Sequence, residues 1–81
     1  MENRILLNRV SINPKVMGGK PVIKGTRLTV EYILKLLANG YRFEDIKREY
    51  EGIVDDDIKA CILYASEILS NTEFFPFKEA V

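Results

Sequence analysis

Eighteen residues near the start of the chain leave its backbone little choice of route: Asn13-Pro14-Lys15-Val16-Met17-Gly18-Gly19-Lys20-Pro21-Val22-Ile23-Lys24-Gly25-Thr26-Arg27-Leu28-Thr29-Val30. Gly18, Gly19 and Gly25 can take positive φ, whereas Pro14 and Pro21 lock φ and remove backbone donors. The run therefore predicts a fixed series of turns that opens into an apolar-periodic segment. It also carries Lys15, Lys20, Lys24 and Arg27 and no acid. A rigid basic arm leading into a small helical domain reads as a binding module, not a catalyst.

A chain of 81 residues forms one domain and buries only roughly 60–65% of its unfolded surface, which leaves a marginal core. Cys61 is the only cysteine and histidine is absent, so neither a disulfide nor a zinc cluster reinforces it. Oligomerisation or a partner protein is the expected supplement. Ile5-Leu6-Leu7 is too short an apolar run for a signal peptide, and no segment approaches the ~20 apolar residues of a membrane span. These features predict a soluble cytoplasmic protein.

Net charge is zero but unevenly spread. Residues 1–29 hold six cations (Arg4, Arg9, Lys15, Lys20, Lys24, Arg27) against Glu2, giving +5, and residues 30–81 hold six against eleven anions, giving −5. The chain divides into a basic β-arm (1–29), an acidic helical bundle (30–70) and a Phe-rich tail (71–81).

Residues 4–12 are expected to be extended, from their branched and aliphatic character. Pro21-Val22-Ile23 and Arg27-Leu28-Thr29 are expected to be short strands flanking a Lys24-Gly25 turn, with Pro21 at a strand start or edge. Thr29 is a fitting N-cap for a first helix whose apolar face is Val30, Ile33, Leu34 and Leu37, ended by Asn39-Gly40. A second helix from about Phe43 to Tyr50 buries Phe43, Ile46 and Tyr50. After Gly52 a third runs from about Asp55 to Ser70, burying Ile58, Cys61, Ile62, Ala65, Ile68 and Leu69. Leu63 and Tyr64 fall outside that stripe, as exposed apolar residues or as part of an interface. The expected fold is mainly α: a three-helix, homeodomain-like or helix-turn-helix bundle preceded by a short β-arm or hairpin.

The ordered run from Gly18 to Arg27 resembles the domain of unknown function 433 family, small bacterial and archaeal proteins. The shared pattern stands here as Asn13-Pro14, Gly18 to Ile23, Lys24, Gly25-Thr26-Arg27-Leu28, Gly40, Glu44-Asp45-Ile46 and Asp56-Asp57-Ile58, across roughly residues 4–69. The resemblance implies a homeodomain-like dimer, and an antitoxin of the VapB type that binds a PIN-like ribonuclease toxin and its own operator DNA. This chain departs from the family at two helix starts, where Arg42 and Val54 replace capping Ser or Thr. Such a loss costs about 0.5–2 kcal/mol, leaving looser helix starts or Asp55 to take over the third.

The third helix opens with Asp55-Asp56-Asp57, and three carboxylates repel a polyanion, so its insertion into the major groove is disfavoured. They are better read as helix-start charges on a solvated face. Lys15, Lys20, Lys24 and Arg27 are the better candidates for nucleic-acid contact, through phosphates. Arg27 has two compatible roles, a fork on phosphate or a pair with a carboxylate of the acidic body. Gly18-Gly19-Lys20 lacks the spacing and following hydroxyl of a nucleotide-binding loop. Cys61, with no histidine to activate it, is a core residue, and no enzyme or cofactor is expected. Phe74, Phe75 and Phe77 are candidate anchors for a partner, or else cover the small core. Three functions remain open: an antitoxin-like protein, a stand-alone DNA-binding regulator, and an interaction adaptor.

Overall fold

The computed structural model describes residues 3–70. It is mainly helical, with helices α1 (Asn3–Leu7), α2 (Val30–Ala38), α3 (Phe43–Glu49) and α4 (Asp55–Ser70) and strands β1 (Val10–Ser11) and β2 (Val22–Ile23). Within the segment expected to be extended, residues 3–7 instead form a helical turn. Two leucines favour it, and it sets Leu6 and Leu7 half-buried while leaving Ile5 exposed. Only Val10–Ser11 is strand. It pairs antiparallel with β2, Val10 opposite Ile23 and Ser11 opposite Val22.

On its other side β2 meets the chain leading into α2. A single bridge joins Val22 to Thr29, and Ile23 N–H donates to Leu28 O (2.9 Å). The expected hairpin is thus a tight turn with one bridge, not a ladder. Pro21 precedes β2, and its carbonyl accepts from Val30 N–H (2.9 Å). Gly25 takes φ 82° in that turn. Thr26 fastens it: its hydroxyl donates to Ile23 O (2.8 Å) and accepts from Leu28 N–H (3.0 Å). This explains a hydroxyl directly after the glycine. Met17 and Gly18, at φ 49° and 67°, form a left-handed turn before Lys20. Nothing in the sequence signals the positive φ at Met17.

Thr29 caps α2, accepting from Tyr32 N–H (3.0 Å). Val30, Ile33 and Leu36 are buried, while Leu34 and Leu37 pack against the core half-exposed. The buried line therefore runs through Leu36, between the two positions expected to carry it. In α3 Ile46 is buried, flanked by Phe43 and Tyr50. The Tyr32 and Tyr50 hydroxyls are hydrogen-bonded and their rings meet edge to face at 6.1 Å, tying α2 to the end of α3. That hydrogen bond is the main reason the Tyr50 phenol is pushed up to about 12.

The two helix starts without Ser or Thr are both capped from inside. Asp45, the third residue of α3, accepts from Arg42 N–H (2.8 Å), and Asp57, the third of α4, accepts from Val54 N–H (3.0 Å). Each is the reverse half of a capping box. Arg42 cannot supply the other half, because a guanidinium has no acceptor. The Arg42 N–H bond is also the largest reason the Asp45 carboxyl is held below its usual range, with Arg42 and Arg48 adding to it. Asp57, not Asp55, replaces the missing cap of α4.

Asp57 has a second partner. Its Oδ1 accepts from Arg9 Nη1 at 3.1 Å, and Arg9 also lies 3.9 Å from Asp56. Asp55 pairs with Lys47 of α3 at 2.8 Å. The three aspartates are thus occupied by cations of the same chain, and Asp57 is buried instead of solvated. The acidic body does hold the basic arm, but through Arg9 and not Arg27.

The core gathers Ile23, Val30, Ile33, Leu36, Ile46, Ile53, Ile58 and Cys61. In α4 the expected stripe holds only at its start. Asp57, Ile58, Ala60 and Cys61 are buried and Tyr64 packs against the core, while Ile62, Ile68 and Leu69 are 43%, 48% and 68% exposed. Ile68 and Leu69, in the last turns of α4, face Val30 and Glu31 at the start of α2 without being buried by them.

Replacing Asp57 with Ala removes the α4 cap and leaves Arg9 with only its 3.9 Å contact to Asp56. The expected loss in urea denaturation is about 2–3 kcal/mol. Arg9→Ala costs less, because Arg9 is 41% exposed at its side chain. A double-mutant cycle of Arg9→Ala and Asp57→Ala should return a favourable coupling, and additivity would refute the link.

Candidate apolar groove and basic loop

Between the start of α2 and the second half of α4 lies a groove of about 390 Å³. Pro21, Val30, Leu34, Tyr64, Ala65 and Leu69 give it an apolar lining. Pro21 is there because its carbonyl joins the first turn of α2, and Tyr64 because it lies two turns on from Asp57. At the rim, Glu31 lies 3.5 Å from Lys20 and 3.4 Å from Lys35. Lys20, then Lys35, holds the Glu31 carboxyl below its usual range. The groove size suits a cluster of apolar side chains.

A second hollow, also about 390 Å³, lies between the Asn13 turn and the Gly25 turn, lined in part by Ser11, Asn13, Thr26 and Arg27. Asn13 Oδ1 accepts from Lys15 N–H (2.9 Å), and Val16 N–H donates to Asn13 O (2.8 Å). Lys24 N–H donates to Arg9 O (2.8 Å), fixing the other wall to the arm. Lys15, Lys24 and Arg27 are exposed, and among the described residues none makes an ion pair.

The four expected nucleic-acid residues therefore separate. Arg27 lines the polar hollow and Lys15 and Lys24 stand next in sequence to residues that line it, whereas Lys20 turns to Glu31 at the apolar groove. Phe74, Phe75 and Phe77 lie outside the described residues. Leu34, Tyr64 and Ala65 were not expected to share a groove, and Tyr64's failure to fit the α4 stripe was its one signal. Among the described residues no group of three His, Cys, Asp or Glu could hold a metal ion, and no helix is long and apolar enough to cross a membrane.

Residues 10–65 match the family described as Protein of unknown function (DUF433). The chain belongs to the DUF433 family. Its fold is similar to the crystal structure of a DUF433 member protein from Anabaena variabilis ATCC 29413, with a TM-score of 0.73 and 25% sequence identity. The likeness covers 83% of this chain but only 66% of that one, so the chain spans just under two thirds of its relative. No curated protein shows significant similarity to it.

Cys61 is fully buried, and burial, aided by the nearby Asp57 charge, pushes its thiol up to about 12. At neutral pH it carries almost no thiolate, the reactive form. Alkylation by iodoacetamide should therefore be slow and should accelerate only as denaturant unfolds the domain. Rapid labelling of the native protein would contradict this placement.

Proposed function

We propose that this protein is the antitoxin-like component of a prokaryotic toxin–antitoxin module of the VapB type. In this reading it is a non-enzymatic cytoplasmic homodimer that binds and neutralises a PIN-like ribonuclease. The observation that carries it is the apolar groove between α2 and α4, continued by the exposed Ile62 and Leu69. Side chains of this kind left on the surface of a small domain favour a protein partner. Phe74, Phe75 and Phe77 come after α4 in sequence and are the proposed anchors for that partner. A second reading is a DNA-binding regulator, with α3 and α4 as a homeodomain-like helix-turn-helix pair; Lys15, Lys24 and Arg27, without an ion pair among the described residues, favour nucleic-acid contact, though not through α4.

Co-expression with the protein encoded beside it, purification through a tag on this chain, and an RNA-cleavage assay before and after separation test the first reading. A stable complex whose partner cuts RNA only once released is the expected result. No co-purification, or a partner equally active in the complex, would refute it. Leu69→Asp should weaken the complex about tenfold or more, roughly 1.4 kcal/mol, with the melting temperature unchanged. Deleting residues 72–81 should abolish the complex at unchanged melting temperature. A lowered melting temperature would assign the phenylalanines to covering the core.

A further inference from the structure

Of the six cations in the basic arm, Arg9 is committed to Asp57 and Lys20 to Glu31. Arg4 belongs to α1. Of the other three, Arg27 lines one hollow, and Lys15 and Lys24 stand next in sequence to residues that line it. We infer that the hollow lined by Arg27 and flanked by Lys15 and Lys24 receives backbone phosphates of duplex DNA, and that the first turn of α4 does not enter the DNA. The inference rests on the DNA-binding reading and is independent of the apolar groove.

The walls are set before any ligand arrives. Asn13 holds the Lys15 turn, and Thr26 with the left-handed Gly25 holds the turn from Lys24 to Arg27. Among the described residues no carboxylate lines the hollow. Between Glu2 and Glu31 the sequence contains no acid at all, so a long polyanion approaching the arm meets no opposing charge from that stretch. Arg27 offers a planar fork suited to phosphate oxygens.

The form of nucleic acid follows from what the hollow lacks. Recognition of single strands depends on aromatic faces for base stacking, and among the described residues no aromatic one lines this site. Phosphate contact alone positions a protein on a duplex. The start of α4 is excluded on a separate ground. Asp55, Asp56 and Asp57 remain acidic to an incoming polyanion, and the cations beside them, Lys47 and Arg9, already bridge elements of this chain.

The test is fluorescence anisotropy of a labelled duplex of about 20 base pairs, titrated with the full chain between about 20 and 200 mM salt. Three phosphate contacts per bound chain predict a log–log slope of about −2.7, and non-specific dissociation constants of about 10⁻⁴ to 10⁻⁶ M. Lys15→Ala, Lys24→Ala and Arg27→Ala should each make the slope shallower by about 0.9, whereas Lys20→Ala should leave it unchanged. All three residues are exposed, so thermal melts should match the wild type. If any of these variants does melt lower, Lys15→Gln and Lys24→Gln, measured singly, carry the same slope test. DNA binding with an unaltered slope in the variants would overturn this site while leaving the DNA-binding reading standing. Absence of binding at about 20 mM salt would remove both. Loss of the ribonuclease partner with DNA binding retained would make the loop a protein contact and likewise overturn the inference.

Discussion

One carboxylate joins the two halves of this molecule. Asp57 closes the first turn of α4 through Val54 N–H and holds Arg9 of the arm with its other oxygen. Arg9 in turn accepts from Lys24 N–H through its carbonyl. A helix start, an N-terminal segment and the turn before α2 are therefore fixed through two residues 48 positions apart. A buried charge is tolerated only when its lone pairs are used. Asp57 meets that condition with one backbone donor and one guanidinium. The ladder between β1 and β2 has only two residue pairs, too few to hold the arm by itself.

The same pairing divides the surface by chemistry. Acids that would face solvent at the start of α4 are partnered with Arg9 and Lys47, and Glu31 lies between two lysines. At the Gly25 turn Lys24 and Arg27 have no such partner among the described residues, and the polar hollow that Arg27 lines contains no acid among them. The groove between the start of α2 and the second half of α4 exposes apolar side chains at a different place. Two surfaces of opposite character thus arise in one small domain, and they share no lining residue.

Much of this was legible in residue order. Thr29 as a cap, Gly40 and Gly52 as helix breaks, and the limits of α3 and α4 follow from local chemistry that the packing does not override. Residues 3–7 were misread because Ile-Leu-Leu suits a strand or a turn of helix equally, and only contact with α4 decides between them. The α4 stripe was read too long because hydrophobic spacing reports which side of a helix is apolar, not where the body beneath it stops. The role of Asp57 was hidden for a related reason. Three consecutive aspartates look alike in sequence, and the one turned inward is chosen by an arginine far along the chain.

The thinness of the β1–β2 ladder has a dynamic consequence. A native protein opens in cooperative units, and those with few buried contacts open at the lowest free energy. Here the arm adds only Val22 and Ile23 to the fully buried residues before Val30, apart from Thr29. The helices supply the rest. The amides of the arm therefore belong to a separate, earlier-opening unit than those of α2 and α4, and the hollow between the Asn13 and Gly25 turns lies within it. Any ligand held there draws on the arm's closed state, so occupancy and local order rise together: binding tightens the arm without requiring the helical body to move.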